Sequence, residues 1–320
     1  MGYNPTGMEL RTGENDSGRR LDRVLRKALQ NHPLPLLYRL LRQGLVLVNG
    51  KPAKAQDRVT AGALISIPSL ENRVSSPAPP PAGRLQKPPD ILWQGSGLLA
   101  VNKPSGLSVH GPDSLDTIVR SYLADTLPAS LSFKPGPLHR LDKPTSGVIV
   151  FSTSIEGARN FSRLMLEQKI LKTYLALVEG RIEKEEIWQD ELVRDKNLKK
   201  TFVAAPLSGG EKNNAKAALT RVRPCAANGS YTLVTAEIST GRTHQIRAQA
   251  GAHGHPLAGD RKYGGHVLHT GQDRTGFFLH AWKLELPDIS IEAPLPPAFR
   301  KLIAAMFDSE PSAVLQTLHS

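Results

Sequence analysis

A proline-rich tract, SSPAPPPAGRLQKPP at residues 75–89, divides the 320-residue chain into two unequal parts. Its six prolines favour extended polyproline backbone, and it supplies almost no side chain that a core could bury. A chain of this length also suggests two domains. We therefore interpret the tract as a semi-rigid linker, with a peptide-docking role as the alternative.

The linker fixes the predicted domain organisation. We expect an N-terminal extension over 1–18, a small domain over 19–70, the linker over 71–89, a large domain over 90–305 and a loose tail over 306–320. Helical and alternating apolar patterns are mixed in both domains, which predicts an α+β fold rather than a regular doubly wound one.

The charge of the chain indicates its partner. Lys and Arg number 41 against 29 Asp and Glu, a formal net charge of +12, which favours a polyanion and nucleic acid first. No run of 18 apolar residues and no signal core occurs, so we expect a cytoplasmic protein without membrane association. We also expect a monomer. The single cysteine, Cys225, cannot form an internal disulfide, which agrees with a reducing compartment.

Most of the excess positive charge lies in the small domain. Residues 19–58 contain ten Lys and Arg against two Asp, so they carry +8 of the net +12. Helical spacing of apolar residues predicts two short helices on either side of Pro33 and Pro35. Asn49-Gly50 predicts a two-residue hairpin, and ALISIP a further strand.

Two basic helices with a hairpin favour RNA binding over a solvated basic face without a partner. This small domain resembles the alpha-L RNA-binding domain first named for a small-subunit ribosomal protein. The candidate RNA-binding residues in it are Arg19, Arg20, Arg23, Arg39 and Lys51.

A glycine pattern after the linker has two interpretations. GSGLLA, at 95–100, matches a dinucleotide-binding pattern, but such a site requires a helix that opens at the glycines. The following residues, NKPSG, are typical of a loop. We therefore predict a hairpin formed by ILW and LLAVN, with the glycines in its turn.

An aspartate stands at the centre of PLHRLDKPTSGVIVFS, residues 137–152. Pro144 disfavours helix at Lys143, so Asp142 is predicted on a loop that turns into the strand GVIVFS. A helix over 158–168 and the strand KTYLALVEG are predicted to follow.

A second dense patch is AEISTGRTHQIRAQAGAHGHPLAGDRKYGG. His244 to Arg247 are predicted to begin a helix capped by Thr243, which would bring Arg242 and Arg247 close together at a phosphate-binding helix start. His244, His253 and His255 could suggest zinc, but a fourth ligand is missing, so we expect no metal.

The ordered motifs HRLDKPTSG, KTYLALVEG, RDKNLKK, GRTHQIRAQ and GDRKYGG, with NKPSGLSVH before them, resemble the bacterial pseudouridine synthases of the ribosomal large subunit (Rlu) type. The resemblance covers about residues 90–305. It implies a central mixed, mostly antiparallel sheet around a cleft, and activity without metal or cofactor. The implied substrate is RNA, most often large-subunit ribosomal RNA.

The resemblance also implies roles for single residues. Asp142 would be the catalytic aspartate, Arg247 its basic partner, and Tyr174 the tyrosine that packs on the target base. Arg140 would enter the space left by the flipped nucleotide. His139, Arg242 and His244 are further RNA-binding candidates in the same motifs, while Lys103, Asp260 and Tyr263 would be structural or contact the RNA backbone.

The chemistry of uridine isomerisation agrees with such residues. The bond between ribose carbon 1 and the base nitrogen breaks, and the base rejoins through carbon 5, so no external reagent is needed. A carboxylate can attack the sugar or base or take a ribose proton, and a guanidinium beside it lowers its pKa. An aromatic face offsets part of the cost of unstacking the base.

Other functions remain open from the residues alone. Asp142 could form a plain surface ion pair, Tyr174 could be core packing, and Arg247 could be a phosphate contact. The chain could act on tRNA, or be a non-catalytic RNA-binding or ribosome-assembly protein. A hydrolase using Ser146 or His139 ranks lower because no G-x-S-x-G motif occurs.

Overall fold

The computed structural model of the protein describes residues 7–69, 87–204, 215–268 and 276–307. Most of the predicted linker and tail therefore lies outside the described residues. The chain forms two compact units. The first comprises the described residues up to Pro88 together with Arg120–Gly136 and Thr153–Ile155, and the second comprises the rest.

The first unit contains the two predicted basic helices, α1 (Leu21–Ala28) and α2 (Leu34–Arg42). Helix α1 buries Leu21, Val24 and Leu25, which share one face at i, i+3 and i+4. Their charged neighbours are left on the outer faces. Both helices are confirmed, and together they supply half of the buried residues in the hydrophobic core of this unit.

A four-stranded sheet completes the first unit. Its strands are β1 (Met8–Arg11), β2 (Leu47–Val48), β3 (Lys51–Pro52) and β4 (Leu64–Ile67), in the order β1-β4-β2-β3. Asn49 and Gly50 both have positive φ, 52° and 78°, as the predicted two-residue hairpin requires. Strand β1 was not predicted, and it adds residues of the expected extension to this sheet.

Asp16, on the turn after β1, is fully buried within the first unit. It accepts hydrogen bonds from the backbone N–H groups of Leu131 and Ser132 and from the hydroxyls of Ser130 and Ser132. Burial by itself would raise the pKa of Asp16, but these hydrogen bonds lower it overall. Residues 130–132 are thereby attached to the N-terminal part of the same unit.

The second unit is dominated by an 11-stranded sheet. The remaining strands of the chain are β5 (Ile91–Gly95), β6 (Leu98–Lys103), β7 (Gly136–Pro137), β8 (Ser146–Ser152), β9 (Leu171–Glu179), β10 (Glu186–Asp195), β11 (Lys200–Val203), β12 (Lys216–Ala227), β13 (Tyr231–Ile238), β14 (Leu279–Leu286) and β15 (Ile289–Glu292). The remaining helices are α3 (Leu115–Ala124), α4 (Ile155–Leu166), α5 (Gln245–Ala252) and α6 (Pro297–Phe307).

The main path of the sheet runs β11-β10-β12-β13-β9-β14-β8-β6-β5, with β15 beside β14 and β7 beside β8. The pairs along that path are antiparallel except β14 with β8, which is parallel. This confirms the α+β class and the mixed, mostly antiparallel sheet. The hairpin of β5 and β6 confirms that GSGLLA forms a turn between strands and not the start of a helix.

Strands β8 and β9 lie on either side of β14, and both are buried along nearly their whole length. Gly147, the second residue of β8, has φ +110°, and a Cβ at this position would overlap the backbone of Ala281 on β14. Only glycine fits this close approach. The Thr-Ser-Gly turn of the sequence is therefore the point where the loop carrying Asp142 joins the centre of the sheet.

Candidate active site

Asp142 lies on the short loop that leads into β8. Its carbonyl accepts the N–H of Thr145 at 3.0 Å, which closes a tight turn. The hydroxyl of Ser105 donates to the carbonyl of Pro144 at 2.7 Å and fixes the turn from the neighbouring loop. The backbone on both sides of the aspartate is thus held before any substrate binds.

Lys103 stabilises the backbone next to Asp142 through hydrogen bonds from its buried side chain. Its side chain is fully buried, and its Nζ donates to the carbonyls of Pro104, Leu107 and Lys143 at 2.8 to 3.1 Å. Burial lowers the pKa of Lys103 to about 8, although the carboxylate of Asp142 acts in the opposite direction. Of the two roles expected for Lys103, these contacts support the structural one.

Arg247, on α5, joins two carboxylates. Its Nη1 donates to Oδ2 of Asp142 at 2.9 Å, while Nε and Nη2 donate to the two oxygens of Asp260 at 2.7 and 2.9 Å. Arg247 is 8% exposed and Asp260 2% exposed. Burial opposes the charge of Arg247, but the hydrogen bonds and charges of Asp260 and Asp142 raise its pKa. The guanidinium therefore stays charged and presents one edge to Asp142.

Two aromatic rings enclose this guanidinium. The Cζ atom of Arg247 lies 5.0 Å from the ring centre of Tyr263 and 4.2 Å from that of Phe277. Planar guanidinium groups stack favourably on aromatic faces. With Asp260 bonded in a bidentate manner, Arg247 has little freedom to move away from Asp142.

His244 is a second neighbour of Asp142. The hydroxyl of Tyr263 accepts the N–H of Thr201 at 2.9 Å and lies 2.8 Å from Nδ1 of His244, to which it can donate its own proton. When Tyr263 donates, the proton of the imidazole is on Nε2, which is 3.7 Å from Oδ1 of Asp142. Burial lowers the pKa of His244 to about 4, so the ring is neutral at pH 7.

The start of α5 differs from the expectation. The residue that caps the helix is His244, in left-handed backbone with φ +55°, and not Thr243. Thr243 uses its carbonyl to accept the hydroxyl of Thr201 at 2.8 Å. The prediction was wrong because a threonine is a common N-cap, whereas left-handed backbone is uncommon for histidine.

A cavity of about 220 Å³ opens beside Asp142. Tyr174 of β9 lines it, and burial together with the charge of Asp142 raises the pKa of this phenol. Much of the remaining wall is apolar and includes Leu138, Met165, Ile238 and Leu279. Such a wall, next to one carboxylate and one aromatic ring, suits a flat heterocycle.

A second cavity, of about 450 Å³, borders Asp142, His244 and Arg247 from another side. Its wall is rich in cations, and Asp142 is its single carboxylate among the described residues. The remaining basic residues of this wall are His110, Arg140, Lys143, Arg194, Lys199 and Lys262. Lysines and arginines gathered in this way suit phosphates on a nucleic acid strand.

The predicted RNA-binding residues of the second unit occupy different environments. Arg140 is exposed and lines both cavities. Arg242 lines the smaller cavity together with Arg247, and its Nε donates to a backbone carbonyl at 3.2 Å. His139 accepts the N–H of Val150 at 3.0 Å, and burial lowers its pKa to about 3, so this ring also supports β8.

The predicted residues of the first unit divide into two groups. Arg23, Arg39 and Lys51 are exposed and accessible to a partner. Arg19 donates to the hydroxyl and carbonyl of Ser132, and Arg20 pairs with Asp22 at 2.7 Å. The first group is therefore the better supported part of the RNA-binding prediction, which stays a prediction.

The three histidines considered for zinc are not brought together. His244 faces Asp142, His253 contacts Asp190 at 3.0 Å, and His255 contacts the carbonyl of Glu179 at 3.0 Å. Within the described ranges, no three His, Cys, Asp or Glu side chains are grouped to hold a metal ion.

Ser146, which was considered as a hydrolase nucleophile, contacts a histidine that has no acidic partner among the residues that the structure describes. Ser146 contacts Nδ1 of His280 at 2.9 Å, and Nε2 of His280 lies 3.2 Å from the carbonyl of Ala293. Both side chains are buried, and the partner of the histidine is a carbonyl and not an acid. This pair connects β8 to β14 and lacks the third member of a catalytic triad.

Several site residues were missed by sequence reasoning. Lys172 carried no recognised signal beyond its place in a strand pattern, and Phe277 carried none. Arg194, Lys199 and Lys262 lie within the motifs RDKNLKK and GDRKYGG, so their position in those motifs was the available signal. The chain folding that brings them to Asp142 could not be derived from spacing.

Comparison with known proteins identifies the family. The family model for RNA pseudouridylate synthase matches residues 97–252, and that for the S4 domain matches residues 19–65. The chain is 32% identical to ribosomal large subunit pseudouridine synthase C of Pasteurella multocida, over 95% of each chain. It is 30% identical to the protein of the same name from Escherichia coli K12, over 90% of this chain and 93% of that relative.

A solved structure agrees with this assignment at the level of the fold. Human RNA pseudouridylate synthase domain containing 4 superimposes with a TM-score of 0.59 at 23% identity, covering 68% of this chain and 92% of that one. The chain belongs to the RNA pseudouridylate synthase family and carries an N-terminal S4 domain. It is an isomerase that forms pseudouridine in RNA.

In the part of the chain that the structure describes, no helix has the length and apolar character of a membrane span.

Proposed function

We propose that this enzyme isomerises specific uridines of large-subunit ribosomal RNA, with Asp142 as the catalytic carboxylate. The observation that carries the proposal is the fixed arrangement of Asp142, Arg247 and Asp260 beside a cavity that Tyr174 lines. The printed names of the relatives support the choice of RNA, because they describe synthases of the ribosomal large subunit.

The proposed steps follow from the chain's own residues. Arg247 orients Asp142 through its hydrogen bond, so that the carboxylate can attack ribose carbon 1 or remove the proton on ribose carbon 2. Neutral His244 places its Nε2 3.7 Å from the other oxygen of Asp142. Tyr174 packs on the uracil ring, and Arg140, exposed at both cavities, enters the space that the flipped nucleotide leaves.

RNA binding is proposed to use two surfaces. Phosphates near the target uridine meet the basic wall that Arg194, Lys199 and Lys262 provide, with Arg242, His139 and His244 beside the base. Arg23, Arg39 and Lys51 of the S4 domain, with Arg19 and Arg20 beside them, bind RNA at a second place. We propose that the enzyme works as a cytoplasmic monomer away from membranes, with the domain boundaries expected from the sequence.

The proposal is tested by a chemical map of pseudouridine in ribosomal and transfer RNA from cells that lack this protein. We expect sites in large-subunit RNA to be lost, to return with the wild-type protein and to stay absent with Asp142→Asn. The matched control is Asp288→Asn, which changes an exposed aspartate of the same unit and should restore the sites. Loss confined to transfer RNA would overturn the substrate, and restoration by Asp142→Asn would overturn the catalytic role.

A further inference from the structure

Lys172 is a buried cation to which the proposed chemistry gives no role. It lies on β9, two residues before Tyr174, and is 4% exposed. Its Nζ contacts the sulfur of Met165 at 3.6 Å, and no carboxylate of the described residues lies within ion-pair distance of it. An ammonium in such surroundings lacks the partner that buried charges normally have.

The surroundings of Lys172 indicate where a partner binds. Lys172 lines the same cavity as Asp142 and Tyr174. Gly241 lines this cavity too, and a Cβ there would come within 3.3 Å of the Lys172 Nζ, so the glycine leaves space beside the ammonium. Burial alone lowers the pKa of Lys172 to about 8, with no acid acting against it. The side chain is therefore still mostly charged at pH 7.

We infer that Lys172 is a further catalytic residue, whose ammonium donates to a carbonyl oxygen of the uracil ring and stabilises the ring as it departs as an anion. This inference rests on the proposed function of the cavity. Packing on Tyr174 would bring the ring to the wall that also contains Lys172, because both side chains come from β9 and point in the same direction along it.

The electron balance of the reaction explains the need for this charge. When Asp142 attacks ribose carbon 1 or takes the proton from ribose carbon 2, the bond to the base nitrogen breaks and its electron pair leaves with uracil. That pair is shared between the ring nitrogen and the two carbonyl oxygens. Carbon 5 then bonds to ribose carbon 1, and at the same carbon the bond to Asp142 breaks or, in the second route, Asp142 returns the proton to ribose carbon 2. The hydrogen on carbon 5 is released, and the ring nitrogen gains a proton. Lys172 stabilises the charge only between the two bond changes, which is where it accelerates the reaction.

The test uses full-length enzyme in excess over large-subunit ribosomal RNA transcribed with uridine tritiated at carbon 5. Isomerisation releases tritium to water, so one turnover can be timed. We expect Lys172→Met to slow this turnover by about 100-fold, the effect of removing one preorganised donor, with RNA affinity within about threefold of wild type. Lys172→Arg should recover part of the rate because it keeps the charge. Lys169→Met, at an exposed lysine three residues earlier, should match wild type.

A second substrate separates charge stabilisation from a structural role. With 5-fluorouridine in place of uridine, fluorine withdraws electrons and the departing ring needs less help. The loss of rate caused by Lys172→Met should then shrink to less than about tenfold. This rate is measured from the disappearance of fluorouridine in nuclease digests of the RNA. Lys172→Gln keeps a donor but no charge, so its single-turnover rate on uridine should lie between those of Lys172→Met and Lys172→Arg. It replaces the Met variant in this test if that variant does not fold.

The outcomes separate the inference from the proposed function. A wild type that releases no tritium from this RNA contradicts the ribosomal substrate. If the wild type is active and Lys172→Met has the same single-turnover rate, the role of Lys172 is contradicted. The role of Lys172 is also overturned if Lys172→Met loses the same factor in rate on uridine and on fluorouridine, or if it loses only RNA affinity.

Discussion

Arg247 donates one N–H to Asp142 and two to Asp260, so a single guanidinium connects the proposed catalytic carboxylate to a deeply buried one. The two carboxylates differ in exposure, because the side chain of Asp142 is 16% exposed and that of Asp260 2%. The buried carboxylate holds the guanidinium, while the more accessible one faces the cavity. This division predicts that Asp260 acts on catalysis only through the position of Arg247.

Replacing Asp260 with Asn tests this positioning role. The change leaves Arg247 buried without its bidentate partner, and breaking such a pair costs roughly 3 kcal/mol of folding free energy. We expect the single-turnover rate to fall by about 100-fold because Arg247 no longer holds Asp142 in place, while RNA affinity changes little. Urea unfolding and tritium release measure the two effects, with Asp288→Asn as the control. A folded variant with an unchanged rate would mean that Asp142 alone orients Arg247.

Gly147 gives a prediction about stability at the base of the loop that carries Asp142. Gly147→Ala places a methyl group against the backbone of Ala281 and also forces alanine into φ +110°. We expect a loss of more than about 2 kcal/mol of unfolding free energy, through overpacking and backbone strain together. Gly229→Ala has a similar positive φ of 88° with no atom within 4 Å, so it should cost about 1 kcal/mol. Equal losses in urea unfolding would show that strain alone explains both positions.

Buried histidines predict how stability depends on pH. Burial lowers the pKa of His280 to about 4, compared with about 6.5 in an unfolded chain. The unfolded state therefore binds more protons between these two values, and stability must fall as the pH drops from 7 toward 4. One such histidine contributes at most about 1.4 kcal/mol per pH unit, and His139 and His244 are shifted in the same direction.

The variant His280→Gln isolates one of these contributions. Its free energy of unfolding should decline less steeply than that of wild type between pH 6.5 and 4.5, even where its absolute stability is lower. His110→Gln changes an exposed histidine and should keep the wild-type slope. Parallel curves for wild type and His280→Gln in urea unfolding at several pH values would contradict the prediction.

Local patterns predicted the parts of the fold that local chemistry decides. Helix α1 follows from the spacing of Leu21, Val24 and Leu25, and the hairpin follows from Asn49 and Gly50, which tolerate positive φ. Strand β1 could not be predicted because MELR is short and half polar. It forms by pairing with β4, more than 50 residues later, and such a partner leaves no local signal.

In the candidate site too, local sequence patterns predicted some features, whereas others depend on distant parts of the chain. Asp142 and Tyr174 were found through motifs, but neither the left-handed backbone of His244 nor its side-chain contact with Tyr263 was. Alternation along β9 places Lys172 on the same face as Tyr174, but it does not show that the structure buries nearly the whole strand, so Lys172 was not recognised. Which wall a side chain lines is decided by the neighbouring strands, and these come from distant parts of the sequence.

The S4 domain gives a prediction that salt can test. Arg23, Arg39 and Lys51 are exposed, and replacing all three with Ala should weaken binding to large-subunit RNA. For each phosphate that the variant no longer neutralises, the slope of log affinity against log salt concentration should fall by about 0.7 to 0.9. The single-turnover rate at saturating enzyme should stay within about threefold of wild type, because these residues belong to the unit that lacks Asp142.

A control with the same change in net charge makes this prediction specific. Lys184, Arg300 and Lys301 are exposed residues of the other unit and line neither described cavity, so their triple Ala variant should bind RNA with the wild-type slope. If both triple variants flatten the slope equally, the effect is one of total charge and the S4 surface has no special role. If the S4 variant instead slows chemistry at saturation, this domain contributes to the reaction itself and not only to affinity.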